Sequence, residues 1–360
     1  MKYIFLMLPL IYICGNIYVF RHSLQAIAAL PLWAKITWSV IFWISAFSLF
    51  ISIGLRNSAI PEIISNIMFN IGSIWMAFLL YMVLTLAVLD MSSLAINPIK
   101  GKFWYATAIV TVILVLGNIT YHRPKIEHIH IDTQKQFKKQ RMRIVAVSDI
   151  HLGYGTGTKA LSRYVDLINA QSPDLILIAG DMIDNSIEPL LKNPFDKELK
   201  RLSAPVYIAP GNHEYISGID ACMEYLSSVG ITVLKDSVIT LPEGIQLIGR
   251  DDRTNRKRLS LEALLESTDE SMPTIVIDHQ PYDLSHTDSL CVDIQISGHT
   301  HDGQIWPLNL IIDMIYEQGH GYRKWTNTHI WVSSGLSLWG PPFRIGTHSD
   351  MAVIELSYNE

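Results

Sequence analysis

Four long apolar runs alternate with short polar segments in the first third of the chain. They cover residues 3–20, 36–55, 71–89 and 103–121. The second run contains no charged residue, and twenty helical residues rise about 30 Å, roughly the hydrocarbon thickness of a bilayer. The first run lacks a clear small-residue cleavage site, so we expect a retained helix and not a removed signal peptide. The pattern therefore predicts four transmembrane helices.

Basic residues cluster directly after the fourth apolar run, whereas the loops between the runs carry only one or two each. Because cytoplasmic flanks of membrane helices are enriched in lysine and arginine, we expect the remainder of the chain to lie in the cytoplasm. The clustered residues are Arg123, Lys125, Lys135, Lys138, Lys139, Arg141 and Arg143.

The pattern changes near residue 143, where short β-branched runs begin to alternate with segments of helical spacing. In KALSRYVDLINAQS, Leu161, Tyr164, Val165 and Ile168 recur on one helical face. Alternating strands and helices indicate an α/β domain, and nearly continuous apolar strands indicate sheets covered on both faces. The predicted strands lie in RIVAVSD, DLILIAGD, PVYIAPGNHE, PTIVIDHQP and VDIQISGHTH.

Each of these five strands ends in side chains that can bind a metal ion. Sites in α/β sheets form beyond the carboxyl ends of strands, so we expect these side chains to meet at one rim. Imidazole and carboxylate ligands suit Mn, Fe or Zn. Seven ligands exceed the needs of one ion and fit two divalent ions about 3.5–4 Å apart. The candidate metal ligands are Asp149, His151, Asp181, Asn212, His279, His299 and His301.

The net charge bears on the kind of partner, and the cysteine spacing bears on disulfide bonds and zinc binding. The first 120 residues carry a net charge of +4 and the remainder carries −9. An acidic domain argues against a nucleic-acid partner, which would favour a basic face. Cys14, Cys222 and Cys291 are too widely spaced to indicate a disulfide framework or a zinc knuckle.

Five ordered motifs, SDIHLG, GD, GNHE, DHQP and GHTHDGQ, give residues 142–358 a resemblance to the calcineurin-like metallophosphoesterases. The segment is most similar to the bacterial membrane-anchored branch that includes hydrolases of UDP-2,3-diacylglucosamine. The resemblance implies two mixed sheets that face each other with helices outside, and a location in the bacterial plasma membrane. Together with the apolar runs and the basic cluster, it divides the chain into a four-helix anchor (1–121), a basic juxtamembrane linker or strand (122–141) and a phosphoesterase domain (142–360).

The resemblance also implies a division of the candidate ligands between the two ions. Asp181 is expected to bridge both ions and to take part in catalysis through a metal-bridging hydroxide that attacks phosphorus. The first ion is expected to bind Asp149, His151 and His301, and the second Asn212, His279 and His299.

The same resemblance implies roles for three neighbouring residues. His213 is expected to face the scissile phosphate and to stabilise charge or protonate the leaving oxygen. Glu214 is expected to orient the loop of His213. Asp302 departs from the glycine usual in that branch, and its carboxylate could alter hydrogen bonds around the ions.

These features predict a membrane-anchored, two-metal phosphoesterase that hydrolyses a phosphodiester or pyrophosphate bond. A lipid-linked substrate is favoured because tethering to a bilayer raises encounter with lipids but not with dilute solutes. Soluble nucleotides or phosphoesters remain an alternative, as does a catalytically idle sensor that only binds metal. The oligomeric state is left open.

Three further segments admit two interpretations each. HIHID, residues 128–132, resembles a zinc motif but lacks its last histidine, so we favour a half-buried strand with its histidines outward. The basic segment 250–258 is interpreted as a solvated loop, with a grip on phosphate as the alternative. The apolar segment 306–316 is interpreted as core packing, with an apolar wall for an acyl chain as the alternative.

Overall fold

The computed structural model describes residues 2–54, 62–95 and 99–359, except for the side chains of residues 2–6, Glu62 and Ala95. Leu55, the end of the second apolar run, lies outside the described residues. The chain divides into two compact units. The first contains residues 1–119 and 340–345, and the second contains residues 120–339 and 346–360.

The first unit is helical, and three of its helices are long and apolar enough to cross a membrane. The expectation of four such helices was wrong for the described residues. The side chains of residues 2–6, which include the start of the predicted first span, lie outside the described residues, and the second half of the helix carries Asn16, Arg21 and His22. The helices are α1 (Lys2–Ala26), α2 (Leu32–Gly54), α3 (Glu62–Ala95) and α4 (Lys102–Tyr121), of which α2, α3 and α4 are the candidate spans.

Polar contacts fix the helices of this unit at a few points. Asp90 of α3 accepts a hydrogen bond of 2.6 Å from Tyr18 of α1 and pairs with Lys102 of α4. Near the end of α4, the amide of Asn118 donates to the carbonyl of Pro342 over 2.9 Å. The segment 340–345, although distant in sequence, therefore packs as part of the helical unit.

The second unit contains two mixed six-stranded sheets, as the α/β expectation required. The first sheet has the order β1-β12-β2-β3-β4-β5, in which only the pairing of β12 with β2 is antiparallel. Its strands are β1 (Lys125–Thr133), β2 (Arg141–Val147), β3 (Leu175–Ala179), β4 (Val206–Ala209), β5 (Thr232–Val233) and β12 (Asp350–Tyr358).

The second sheet has the order β10-β11-β9-β8-β7-β6, with antiparallel pairs at both edges and parallel strands in the middle. Its strands are β6 (Ser237–Thr240), β7 (Gln246–Gly249), β8 (Thr274–Ile277), β9 (Ile294–Ser297), β10 (Gly321–Lys324) and β11 (His329–Val332).

The two sheets pack face to face because their strands are apolar on both faces. In β2, Ile144 belongs to the cluster shared with the second sheet, whereas Val145 belongs to the cluster under the outer helices. This alternation follows from the two-residue period of a strand. In β1, Ile129 and Ile131 are 3% exposed while the intervening histidines are exposed, which agrees with the strand favoured for HIHID.

Helices cover the outer faces of the sheets. The predicted apolar face of α5 is buried as expected, and α10 packs on the outside of the second sheet. The helices are α5 (Thr158–Asn169), α6 (Glu188–Lys192), α7 (Phe195–Leu199), α8 (Asn212–Ser217), α9 (Ile219–Ser228), α10 (Leu261–Leu265), α11 (Leu284–Ser289) and α12 (Asn309–Ile315).

Candidate metal centre

The candidate ligands follow strands of both sheets. The expectation of a single rim is corrected in this respect: β2, β3 and β4 of the first sheet deliver one half of the cluster, and β8 and β9 of the second deliver the other. Because the sheets lie face to face, their carboxyl ends open onto a shared crevice. The structure brings together Asp149, His151, Asp181, Asn212, His279, His299 and His301.

One group of side chains forms around Asp149. Its Oδ1 lies 3.7 Å from Nε2 of His151 and 3.4 Å from Nε2 of His301. The two imidazole Nε2 atoms are 3.2 Å apart. Three donor atoms therefore converge on one small volume, as expected of ligands that share an ion.

A second group forms around Asn212. Its Oδ1 lies 3.2 Å from Nε2 of His279 and 2.9 Å from Nδ1 of His299. Nδ1 of His279 lies 2.6 Å from the carbonyl of Ala179, which fixes the ring and leaves Nε2 toward the cluster. A backbone carbonyl that holds the far nitrogen is the usual support of a ligating histidine.

Asp181 stands between the two groups. Its Oδ2 lies 3.9 Å from Nε2 of His151 and 3.1 Å from Nε2 of His279. Its Oδ1 accepts a hydrogen bond of 2.8 Å from the backbone N–H of His213. One carboxylate oxygen is therefore shared by both groups while the other is held by the backbone.

Five of the seven candidate ligands have left-handed backbone conformations. This region is uncommon for residues other than glycine, and such strain persists where the surrounding structure demands it. The strand ends thus turn sharply so that successive side chains point into the crevice. The φ angles are 54° at Asp149, 48° at His151, 50° at Asp181, 72° at His299 and 51° at His301.

Glu214 fixes the backbone around the candidate ligands through hydrogen bonds. Its side chain is buried and accepts hydrogen bonds from the N–H groups of Asp181 (3.0 Å), Ile183 (2.9 Å) and Gly211 (2.7 Å). Burial and the charge of Asp181 raise the pKa of Glu214 to about 7, against the N–H donors that favour the carboxylate. Glu214 therefore joins the loop of Asp181 to the start of α8, which carries His213, a wider role than the one expected.

Asp184 is a component that sequence reasoning missed. Its Oδ1 lies 2.8 Å from Nδ1 of His213 and 3.7 Å from Nδ1 of His151. Burial opposes its ionisation, but the two imidazoles outweigh burial and lower the pKa of Asp184. The available signal was its position three residues after Asp181 in GDMID.

The donor set fits a pair of divalent cations. Among the described residues, Oδ1 of Asp149 is a buried oxygen with no hydrogen-bond partner, although two imidazoles face it. Such an atom costs free energy unless a cation or proton satisfies it. Because the ligands are oxygen and nitrogen without thiolate, the site suits Mn, Fe or Zn.

The charges of the histidines depend on these carboxylates. Burial opposes a charge on His151, but Asp149, Asp184 and Asp181 outweigh burial and raise its pKa to about 10. The same opposition, with Asp181 as the main carboxylate, raises the pKa of His279. Burial and the neighbouring His279 instead lower the pKa of His299 to about 4. Protons can therefore replace cations at some ligands but not at others.

Asp302 does not enter either group. It has a left-handed backbone, and its N–H donates to Oγ1 of Thr300 over 3.1 Å. Its Oδ2 lies 3.9 Å from Nδ1 of His320, whose Nε2 is 2.9 Å from Asp350. The carboxylate at this position thus links the metal loop to β12.

The basic segment 250–258 is mostly paired within the domain. Arg250 and Arg258 both bind the buried carboxylate of Asp278, over 2.8 and 3.1 Å. Arg253 pairs with Asp283 over 2.7 Å and lies 4.8 Å from the ring centroid of Tyr282. Two of its arginines are structural, which differs from the freely solvated loop we favoured.

The segment 306–316 is not part of the core, so the favoured interpretation of core packing was wrong. Helix α12 contains no buried residue. Trp306 and Leu308, which precede it, are 47% and 39% exposed. The large apolar side chains of this segment therefore face outward.

The fold and this cluster define a class of α/β sandwich proteins with a carboxylate–imidazole centre at facing strand ends, and comparison with known proteins gives the family. Residues 142–303 match the family of calcineurin-like phosphoesterases. An uncharacterized metallophosphoesterase of Campylobacter jejuni is 30% identical over 267 residues, which cover 71% of this chain and 69% of the relative. The chain therefore belongs to the calcineurin-like metallophosphoesterases.

Two further relatives extend the comparison. An uncharacterized metallophosphoesterase of Helicobacter pylori is 34% identical over 65% of this chain and 64% of its own length. A protein of Danio rerio named transmembrane protein with metallophosphoesterase domain is 31% identical over 70% of this chain and 62% of its own length. The chain thus spans less than two thirds of the length of these two relatives.

Proposed function

We propose that this protein is a membrane-anchored phosphoesterase that hydrolyses a phosphodiester or pyrophosphate bond with two divalent metal ions. The observation that carries the proposal is Asp181 Oδ2, which lies within 3.9 Å of His151 and 3.1 Å of His279, one histidine from each group. A carboxylate shared in this way can bridge two ions and reduce their mutual repulsion. When bound, the ions would supply an acidified water and polarise the phosphoryl oxygens.

The ligands divide according to the two groups. We assign Asp149, His151 and His301 to one ion, and Asn212, His279 and His299 to the other, with Asp181 common to both. The short distances within each group support this division. The ions would be Mn, Fe or Zn.

His213 is the proposed proton donor to the leaving oxygen. Its backbone N–H is fixed by Asp181, and its Nδ1 lies 2.8 Å from Asp184. A hydrogen bond from Nδ1 to a carboxylate sets the tautomer and leaves Nε2 for proton transfer. The side chain is 13% exposed, so it is reachable from the crevice. We propose Asp184 as the residue that positions it.

A lipid-linked substrate is proposed on the basis of tethering. Helices α2, α3 and α4 could cross a membrane, and a domain held at a bilayer meets lipids at high effective concentration. The basic residues after α4 favour the cytoplasmic face of a bacterial plasma membrane.

A parallel assay tests the function. The full-length protein is purified, its metal content is measured, and turnover is followed on UDP-2,3-diacylglucosamine and on soluble nucleotides. We expect two ions per chain and a higher kcat/KM for the lipid-linked pyrophosphate. A preference for the nucleotides would overturn the substrate assignment.

The variant His213→Ala separates an enzyme from a sensor. An enzyme should lose about 10²–10⁴-fold in kcat while it retains both ions. His286→Ala, at an exposed histidine that pairs with Glu262, should keep full activity. Unchanged turnover in His213→Ala, or no turnover in the unmodified protein with ligand affinity intact, would overturn the proposal.

A further inference from the structure

Helix α12 turns apolar side chains toward the solvent. Leu310 and Ile311 are each 51% exposed, Met314 is 85% exposed and Ile315 is 46% exposed. In a surface helix of a soluble domain, such residues normally form the face that packs on the core. In α12 the apolar face points away from the core instead.

The exposed residues form one continuous face. At 3.6 residues per turn, Leu310, Met314, Ile311 and Ile315 fall within an arc of roughly 140°. Ile312 is half-buried on the opposite side and contacts Gly319. The helix therefore has a defined apolar face whose side chains are 46–85% exposed.

The apolar surface extends N-terminally from the helix. Trp306 and Leu308 are both exposed, so large apolar residues recur from position 306 to position 315. Monomeric soluble proteins rarely expose contiguous apolar patches of this kind unless they contact a partner or a membrane. Tryptophan and leucine on an amphipathic helix are typical of segments that lie in the interface of a bilayer.

We propose that residues 306–315, the docking segment, lie in the interfacial layer of the bilayer. The three candidate spans of the same chain would tether the domain to a membrane, which raises the effective concentration of bilayer around its apolar surface. A second protein would have to find the same face by diffusion. We therefore take the membrane, and not a second protein, as the partner of this face, because the chain carries its own candidate spans.

The docking segment connects directly to the candidate metal centre. Tyr316 follows α12, and its ring centroid lies 6.4 Å from that of His299. The hydroxyl of Tyr282 donates to that of Tyr316 over 3.1 Å, which fixes this end of the segment. If the proposed function holds, docking would present the centre to phosphate groups at the headgroup level.

Depth-dependent quenching tests the inference independently of any activity. Met314→Cys is introduced into the full-length chain with Cys14→Ser and Cys291→Ser, since those two cysteines are exposed and Cys222 is buried. The cysteine is labelled with an environment-sensitive fluorophore in lipid nanodiscs that contain spin-labelled lipids. Interfacial helices bury their apolar face about 5–10 Å deep, so we expect roughly twofold quenching, stronger for a shallow spin label than for a deep one.

Leu191→Cys is the matched control, because Leu191 is a 67% exposed apolar residue outside the segment. We expect no quenching there. Equal values at positions 191 and 314 would overturn the inference. The fluorophore at position 314 could instead report a dry environment that is lost in nanodiscs holding a single copy of the chain. That result would show that a second chain covers the face, and it would also overturn the inference.

Leu310→Cys provides a second measurement should label at position 314 perturb the helix. It lies on the same face and is 51% exposed. We expect the same order of quenching by shallow and deep labels, and a water-exposed signal at both positions would exclude membrane docking. Hydrolysis is not needed for either result, so failure of the proposed function would leave these measurements interpretable.

Discussion

Nδ1 of His213 lies 2.8 Å from Oδ1 of Asp184, and the same carboxylate lies 3.7 Å from Nδ1 of His151. One side chain therefore contacts both the proposed proton donor and a candidate metal ligand. A group in this position can orient both rings without touching the substrate.

Asp184→Asn should lower kcat by about 10–100-fold, because the histidine loses the carboxylate that sets its tautomer. The rate is measured at saturating metal so that weaker binding through His151 is overcome. In the double variant with His213→Ala, we expect no further loss, since the two residues act as a unit.

Asp166→Asn serves as the control for that substitution, because Asp166 is an exposed carboxylate that pairs with Arg201 at the surface. Its activity should be unchanged. Additive losses in the Asp184 and His213 double variant would contradict a shared role.

Metal binding should release protons at neutral pH. The pKa of His151 is raised to about 10 without cations, so its imidazole carries a proton at pH 7, and a ligand must be neutral. Binding therefore expels at least one proton, and falling pH favours the protonated, metal-free form. Calorimetric titrations in buffers of different ionisation enthalpy measure this release, and apparent affinity should rise with pH.

His329→Gln is the control for proton release. Burial and Lys324 lower the pKa of His329 to about 4, so it carries no proton at pH 7. The variant should release as many protons as the unmodified protein. Binding heats that do not depend on the buffer would show that His151 is neutral before the ions arrive.

Gly298→Ala should damage the first group of ligands. An added Cβ would collide with Oγ of Ser148 and Oδ2 of Asp149, which also accepts the N–H of His299. We expect a loss of about 10–100-fold in metal affinity, measured by elemental analysis after dialysis against graded chelator. Gly155→Ala should bind metal normally, because no described atom lies within 4 Å of the added carbon.

Asp278 and Asp283, the two carboxylates that pair with arginines of the segment 250–258, should differ sharply in their contribution to stability. Asp278→Ala leaves Arg250 and Arg258 unpaired in a buried setting, which should cost about 3–5 kcal/mol. Asp283→Ala removes an exposed partner of Arg253 and should cost less than about 1 kcal/mol. Thermal unfolding of the full-length protein measures both, and equal shifts would argue against a structural role for Asp278.

The sequence was sufficient to locate the candidate site because its residues follow apolar strands. Asp149, Asp181, Asn212 and His299 each come two or three residues after a short apolar run that predicts a buried strand. Strand ends converge in this type of fold. The separation into two sheets was not visible in the local pattern, because β3 and β8 are equally apolar. Only the resemblance to a family indicated it.

Features that depend on tertiary contacts were harder to predict. Asp184 lies in a loop, and its role became apparent only from the short distance between its carboxylate and the ring of His213. An apolar pattern such as that of α12 is the same whether the face meets a core or the exterior, so the sequence favoured the wrong interpretation.

The last strand of the domain, β12, is inserted between β1 and β2. During translation, β1 leaves the ribosome soon after α4, long before the partner that joins it to the sheet has been made. The sheet that carries Asp149 and Asp181 can close only after β12 has been made. A chain truncated before β12 would therefore leave β1 without a partner and the edge of β2 unpaired, and such edges are prone to pair with other chains.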